Sequence, residues 1–568
     1  MRRLLSSLGL AALLGLAALP AVHAQSEGLL QPEDDVHRFL DRQRVLGHLP
    51  GADLGAKPLS VARATALLDS VATRDALLTS LDRRRLAELR GARVGGLVGP
   101  SLAARAPLYR DPRAFASVTG VAGRTPYGFE AAPLLYLDGG PTRETAGPEA
   151  VGATFRLTRG ARVAGHVGRV FFDARATENQ TRIPLERVQR GERTGPRLGY
   201  AVYPEGDVPS YDYTVGSGVV GYRGDVLEAR FGRDRNAWGF GRESVVLSDY
   251  ATVYDQLQLR WDVWRLAFQS LYARFNDPRL PGESDGLLPQ RYAAMHRLAV
   301  DLGRGVELEA FETIVFAADT SADGRRGGFE LAYLSPVQFY RATERDLGSP
   351  DNAMLGVGAA WQAVPGLRLY GQGLLDELTA SRFFDDYWGN KWAFLVGTEV
   401  SDPGLPGLGR LRGLDLQVEY ARLRPYLYAH RSRETSFVHS GDGLGHPAGP
   451  NASDLSLSAH YRPAAHLELA LDVARTVRGR DTDSLNFGSD PGRPYLDRVS
   501  NDDVPTLQGV RQTEWLAEGR AGLRLLPDLT AGAAVRLRSV DDALAGRRRY
   551  VAPVVYLRWG LPFVSDRW

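Results

Sequence analysis

The 568-residue sequence contains no cysteine. This excludes a disulfide framework, a thiolate metal centre, a thiol nucleophile and a cysteine-borne lipid anchor. Lysine is nearly missing as well. Lys57 and Lys391 are the only two among 69 basic residues, so 69 − 2 = 67 are arginine. Arginine grips carboxylates and phosphates bidentately where lysine cannot; a codon-usage bias toward arginine gives the same count without any function. The basic residues meet 67 acidic ones, for a formal net charge of +2. That balance excludes a nucleic-acid binder held by a general basic surface. Beyond residue 22 no apolar run reaches the ~20 residues of a spanning helix, and mean hydropathy is −0.24. A polytopic helical membrane protein is therefore excluded. No His-Glu-x-x-His, Walker loop or Gly-x-Ser-x-Gly elbow occurs, so neither an enzyme nor a cofactor is expected.

What is present begins with an address. Arg2 and Arg3 precede an apolar run from Leu4 to Val22, broken by Pro20 and followed by Val22-His23-Ala24. This is the pattern of a cleaved secretory signal over residues 1–24, with Gln25 opening the mature chain. Residues 25–107 read as a small helical segment, expected on the periplasmic side and able to dock other envelope proteins. Val36, Phe39, Leu40 and Leu46 form one helical stripe that stops at Gly47. Ser60 stands as an N-cap before Val61, Ala64, Leu67, Leu68 and Val71, and Leu77, Leu78, Leu81, Leu86 and Leu89 extend the pattern into a third helix.

From residue 108 to 568 the hydrophobic period changes from 3.6 to 2. Leu257, Leu259, Trp261 and Val263 alternate with Gln256, Gln258, Arg260 and Asp262; Leu414, Leu416, Val418 and Tyr420 with Asp415, Gln417 and Glu419; Leu467, Leu469, Leu471 and Val473 with Glu468, Ala470 and Asp472. Segments of about ten residues exceed the five or six of ordinary strands and match the 9–11 that cross a bilayer at a tilt. An open sheet edge is untenable in lipid, so the strands must close into an all-β transmembrane barrel with apolar residues outward and polar ones in the lumen. About 18 to 20 segments fit between Phe129 and Trp559, and even numbers are preferred. Export plus a barrel implies the outer membrane and contact with its lipid. Arg548 to Trp559 reads as the last strand, and the chain ends on Trp568.

Longer connections at Asp173–Pro196, Asn276–Pro289, Ser335–Asn352, His430–Asn451 and Arg478–Val510 are expected on the outward side. His430, His439 and His446 share one of them at spacings without metal-ligand geometry, and Asp481-x-Asp483 lacks the glycine and glutamate of a calcium loop, so both read as ordinary loop residues. Gly216-Ser217-Gly218 reads as a bulge or close-packing site within a strand. Glu312 falls in phase with the lipid-facing Leu308, Ala310 and Ile314, which suggests a bulge or an interfacial position.

Three stretches are more specific: Phe231 to Arg242 with its Trp238-Gly-x-Gly241-Arg core, Tyr333 to Tyr340 running on to Asn352, and Gly389-Asn-Lys391 with Glu419 to Tyr426. With the helical opening Phe39-Leu-Asp-Arg, Pro58-Leu-Ser60 and the Pro-Asp-Asn step at 350–352, the sequence resembles the capsule-assembly Wzi-like outer-membrane barrels, including relatives linked to gliding motility. The resemblance implies a barrel of about 18 antiparallel strands with a periplasmic helical part, and a non-enzymatic role in holding surface polysaccharide. Alternatives are a porin-like channel for small solutes or sugars, or an anchor for a motility or surface assembly. Sugars are held by aromatic faces flanked by polar groups. Arg233, Trp238 and Arg242, and Arg382, Tyr387 and Trp388, offer that mix as candidate glycan contacts, with Phe240, Arg235, Phe383 and Phe384 beside them. The same residue types also build interfacial girdles and lumen ion pairs.

Overall fold

The computed structural model describes residues 28–90, 116–145, 151–182, 201–203, 210–278, 280, 289–317, 329–348, 351–383, 385–405, 407, 409–526 and 528–563. Residues 1–24, expected to be a secretory signal, together with Phe384 and Trp568, lie outside them.

Eighteen antiparallel strands make one circuit. In chain order they are β1 Thr125–Thr145, β2 Val151–Val167, β3 Val170–Arg182, β4 Ser210–Arg223, β5 Leu227–Asp234 and β6 Tyr254–Val263. Next come β7 Leu266–Phe275, β8 Arg291–Gly303, β9 Val306–Ala317, β10 Asn352–Val364, β11 Leu367–Glu377 and β12 Lys391–Ser401. The circuit ends with β13 Leu414–Leu423, β14 Ala452–Ala464, β15 Leu467–Arg480, β16 Val510–Leu526, β17 Leu529–Asp542 and β18 Gly546–Trp559. It closes where β18 pairs with β1, from Arg549 opposite Thr145 to Trp559 opposite Leu135. Two short strands, Ala116–Ala122 and Ala201–Tyr203, extend the sheet beside β1 and β4.

The alternation points as the sequence predicts. Gln256 and Arg260 meet partners inside the barrel, while Val418, Leu471, Val535 and Val555 are exposed on the outside. Trp261 and Trp361 face outward toward the tight-turn end, and Trp392, Phe394 and Trp515 toward the other, as two interfacial girdles require. The tight turns need unusual backbone: Gly303, Arg304 and Gly305 are consecutive left-handed residues at the β8–β9 turn. Two expectations change. β3 does not give way to a loop at Asp173 but runs to Arg182, because above the apolar belt its outward side carries the water-exposed Arg159–Glu178 pair and no longer needs to alternate. Glu312 sits in unbroken register opposite His296, with no bulge there.

The helical segment occupies the tight-turn end of the lumen. It consists of α1 Asp35–Val45, α2 Val61–Ala72 and α3 Ser80–Leu89, packed around Phe39, Leu40, Leu59, Leu68, Val71 and Leu86. None of the described helices is long and apolar enough to cross a membrane. Ser60 precedes α2 but does not cap it; its hydroxyl donates to Glu228 of β5 (2.8 Å). Leu77 lies in a 3-10 turn and is exposed, so the third helix starts later, with Thr79 as its N-cap. Carboxylate–guanidinium pairs fasten the segment to the wall. Arg42 reaches Asp402 and Asp415 (2.8 Å each), Asp53 accepts from Arg260 and Arg297 (2.7 Å each), and Glu88 pairs with Arg524.

The β5–β6 connection, residues 235–253, dips into the lumen. On one side Ala237–Trp238 pairs with Ala56–Lys57 of the helical segment. On the other, Tyr428 donates to the Val245 carbonyl (2.7 Å) and Ser248 N–H to the Leu444 carbonyl (2.8 Å), both from the buried β13–β14 connection. Gly239 and Gly241 permit this, since a Cβ on either would strike Gln372 or Glu419 of the wall at 2.1 Å. A column of protein thus runs the length of the barrel interior.

Asp53 measures how firmly the segment is held. Burial pushes its pKa up, but Arg297 and Arg260 outweigh burial and hold it well below the ordinary range. Its contribution is therefore present above about pH 4 and lost on acidification. Asp53→Ala is expected to weaken docking by about 3 kcal/mol, because two buried guanidiniums lose a shared partner. Limited proteolysis of residues 28–90 in the folded barrel measures this, and unchanged cleavage would contradict it.

Candidate functional site

The barrel end away from the helical segment is built by the β11–β12, β13–β14 and β15–β16 connections. Backbone bonds knit them together: Trp388 N–H to the Asn501 carbonyl (3.1 Å), Val504 N–H to that of Asp386 (2.8 Å) and Tyr495 N–H to that of His430 (3.2 Å). Asp481 organises the β15–β16 loop. It is not a solvated turn residue, since its carboxylate accepts from the N–H groups of Phe487, Ser489 and Asp490.

These contacts assemble a half-buried aromatic cluster. The Trp388 ring lies 4.8 Å from that of Tyr495 and 5.9 Å from that of Tyr387. Arg498 stands over Trp388 at 3.9 Å and Arg382 over Tyr387 at 4.3 Å. Arg382 also pairs with Asp502 (2.6 Å) and Asp385 (3.2 Å), and Arg498 donates to Asn501 (2.7 Å) and the Tyr495 carbonyl (3.0 Å), so each guanidinium is held rather than free to swing. Beneath, buried Lys391 pairs with Asp376 (3.2 Å) and Glu377 (3.1 Å) and lies 4.8 Å from the Tyr495 ring. Burial, then the charges of Glu377 and Asp376, push the Tyr495 hydroxyl pKa up. The result is a platform of three rings flanked by two arginines and the exposed carboxylates Asp385, Asp386 and Asp502, a surface suited to stacking and hydrogen bonding.

Of the sequence candidates, Arg382, Tyr387 and Trp388 come together here. Arg233, Trp238 and Arg242 neither join them nor meet one another. Arg233 is on the outer wall with Asp255 (2.7 Å). Trp238 is fully buried in the central column, and Arg242 spans the lumen to Asp472 and Ser458. Trp238 and Arg242 do border a chamber of about 720 Å³ between the helices, the column and the wall. Phe240 is buried with Arg368 over its ring at 5.0 Å, and Phe383 is exposed. Tyr495 and Arg498 had no linear signal: they lie in a loop recognised by length alone, and only tertiary contact brings them to Trp388. His430, His439 and His446 are buried with separate partners, Thr435 Oγ1 (2.6 Å), the Val253 carbonyl (3.1 Å) and Ala448 N–H (3.2 Å).

No protein-family model and no curated protein sequence matches the chain. Its fold matches a solved structure of Wzi from Escherichia coli, described as an outer-membrane protein involved in group 1 capsule assembly and a carbohydrate-binding β-barrel. That match covers 95% of this chain and 100% of Wzi at 11% identity, with a TM-score of 0.53. OccK8 (OprE) and OprD of Pseudomonas aeruginosa align over 76% and 75% of this chain and 98% and 94% of their own, at 11% and 8% identity and TM-scores of 0.40 and 0.38. The architecture is thus the 18-strand barrel of outer-membrane proteins.

His430 makes the platform acid-sensitive. It packs edge-on against Tyr495 at 5.8 Å, and burial, then Lys391 and Arg431, lower its pKa to about 3. The neutral ring's contribution is complete above about pH 6.5 and falls away as the pH drops toward the folded value. Acidification from pH 7 to 4 should loosen the Tyr495 loop by about 1–3 kcal/mol, read as faster amide exchange over residues 481–509. His430→Phe should flatten that response; a persistent response would assign it to other groups.

Proposed function

We propose that this protein is a non-enzymatic outer-membrane barrel that retains surface polysaccharide, capsular or exopolysaccharide, at the cell exterior. The Tyr387–Trp388–Tyr495 platform with Arg382 and Arg498 carries this reading: it is half-exposed, rigidly supported, and sits at the end of the barrel where long loops gather. Stacked rings with flanking guanidiniums suit the apolar faces and hydroxyl or carboxylate edges of sugars. The filled lumen supports a holding role over conduction, and the likeness to a barrel described as carbohydrate-binding points the same way. Arg233, Trp238 and Arg242 take the structural share of this assignment, in the wall and the central column, and Arg382, Tyr387 and Trp388 the binding share.

Detergent-purified protein should bind the organism's own surface polysaccharide, and Trp388→Ala should weaken binding about tenfold, the equivalent of about 1.4 kcal/mol of lost stacking. A deletion strain should export glycan normally yet shed it into the medium; unchanged cell-associated polysaccharide would count against retention. In planar bilayers the protein should show no steady conductance, and a stable open channel would favour solute transport instead.

A further inference from the structure

The described part of the β9–β10 connection does not stand above the barrel mouth. This part, residues 329–348, holds a 3-10 turn at Leu331–Leu334 and the helix α4 at Tyr340–Leu347, and it lies against the outside of the wall. There Tyr333 and Tyr340 pack on Tyr272, Ala294, Ile314 and Phe316, all outward-facing.

Beneath it runs a row that a bare lipid-facing wall would not tolerate. Ser270, His296 and Glu312 are cross-strand neighbours on β7, β8 and β9, and all three are buried. Polar and ionisable groups facing acyl chains cost several kcal/mol near the bilayer centre. The segment covers all three and supplies hydrogen-bond partners to His296 and Glu312. The Tyr340 hydroxyl bonds to His296 Nε2 while its ring stacks on the imidazole at 4.1 Å, and Arg341 N–H donates to Glu312 (3.0 Å). Tyr272 in turn donates to the Leu334 carbonyl (2.7 Å). Over residues 331–339 the side facing away from the wall is inverted relative to a water-exposed loop: Leu331 is 73% exposed, Val337 86% and Phe339 77%, with Leu334 beside them, while α4 beyond them exposes Arg341, Arg345 and Asp346. In water a loop would turn these inward; apolar groups outward and polar groups inward is the arrangement lipid favours. The face is continuous with the exposed belt at Leu298, Leu308, Leu355 and Val357. Glu312 stands about six residues from the tight turn, about 15 Å up a tilted strand rising ~3.3 Å per residue, in the loop-end half of a ~25 Å apolar band.

We propose that residues 329–348 form a lid on the outer-leaflet part of the wall, with lipid acyl chains covering its Leu331–Val337–Phe339 face, the exposed charges of α4 directed to the headgroups and the polar row withdrawn beneath it. This rests on membrane residence of the barrel and is independent of glycan binding.

The cysteine-free chain allows single labels in the full-length protein. Nitroxides at Leu331→Cys, Val337→Cys and Phe339→Cys are compared with Leu308→Cys on the wall and Asp483→Cys in an exposed loop, in phosphatidylethanolamine–phosphatidylglycerol vesicles, each variant first checked for heat-dependent gel mobility. The ratio of oxygen to water-soluble nickel-chelate accessibility at the lid sites should match Leu308→Cys and exceed Asp483→Cys several-fold. Ratios at the Asp483→Cys level would overturn the proposal. So would lid sites closed to both reagents; dipolar broadening relieved by unlabelled protein would then assign the face to a second copy, and its absence to another part of the chain. A Leu308 site as wet as Asp483 would overturn the membrane reading with it.

Discussion

Charge neutralisation inside the barrel is the constraint on which the rest depends. Polar residues must occupy the lumen because the outer face is given to lipid, yet the lumen is filled by protein, so its charges have little water to face. The solution is guanidinium–carboxylate pairing at close range. Arg297, with no exposed surface, lies between Asp53 and Glu309, and Arg536 between Asp138 (2.8 Å) and Glu518 (3.0 Å). The planar fork of arginine satisfies two such partners at once, where a lysine would offer a single point charge. Two pairs of this kind join segments far apart in sequence, Asp53 to β8 and Arg42 to β13, so the ion pairs also fix where the helical segment sits.

That same network ties the elements inside the barrel into one column, which shares the lumen with a chamber of about 720 Å³. The helical segment, the inward connection at 235–253 and the buried β13–β14 connection contact one another in turn. The Trp238-Gly-x-Gly241 run is the joint of this column: its tryptophan fills the core, and its glycines let the backbone approach the wall. A motif that reads as a surface platform in one dimension is thus a packing device in three. The exposed aromatic surface lies instead at the loop end, where the rings of Tyr387, Trp388 and Tyr495 rest on the ion pairs of Lys391, with Arg382 and Arg498 over them.

The outside of the barrel follows the opposite rule, and one buried violation of it is informative. Glu312 and His296 break the apolar pattern in register, and residues 329–348 cover both. The alternation that marks a strand as lipid-facing therefore predicts where a cover is needed when it fails.

A barrel of about 18 to 20 strands, the direction of the apolar faces and the helical opening were legible in the sequence, because they follow from periodicity, which is local: a period of two fixes which residues share a face whatever the rest of the chain does, while the narrower figure of about 18 came from the family resemblance. The grouping of Arg382, Tyr387 and Trp388 was equally local. What only the tertiary structure decided was the pairing of Trp388 with Tyr495 and Arg498, the descent of Trp238 into the lumen, the redirection of Ser60 from helix cap to Glu228, and the cover over Glu312. Each depends on which distant segments share a low-dielectric space, and that is set by barrel closure and the need to satisfy buried charges across it, neither of which is written in the spacing of neighbouring residues.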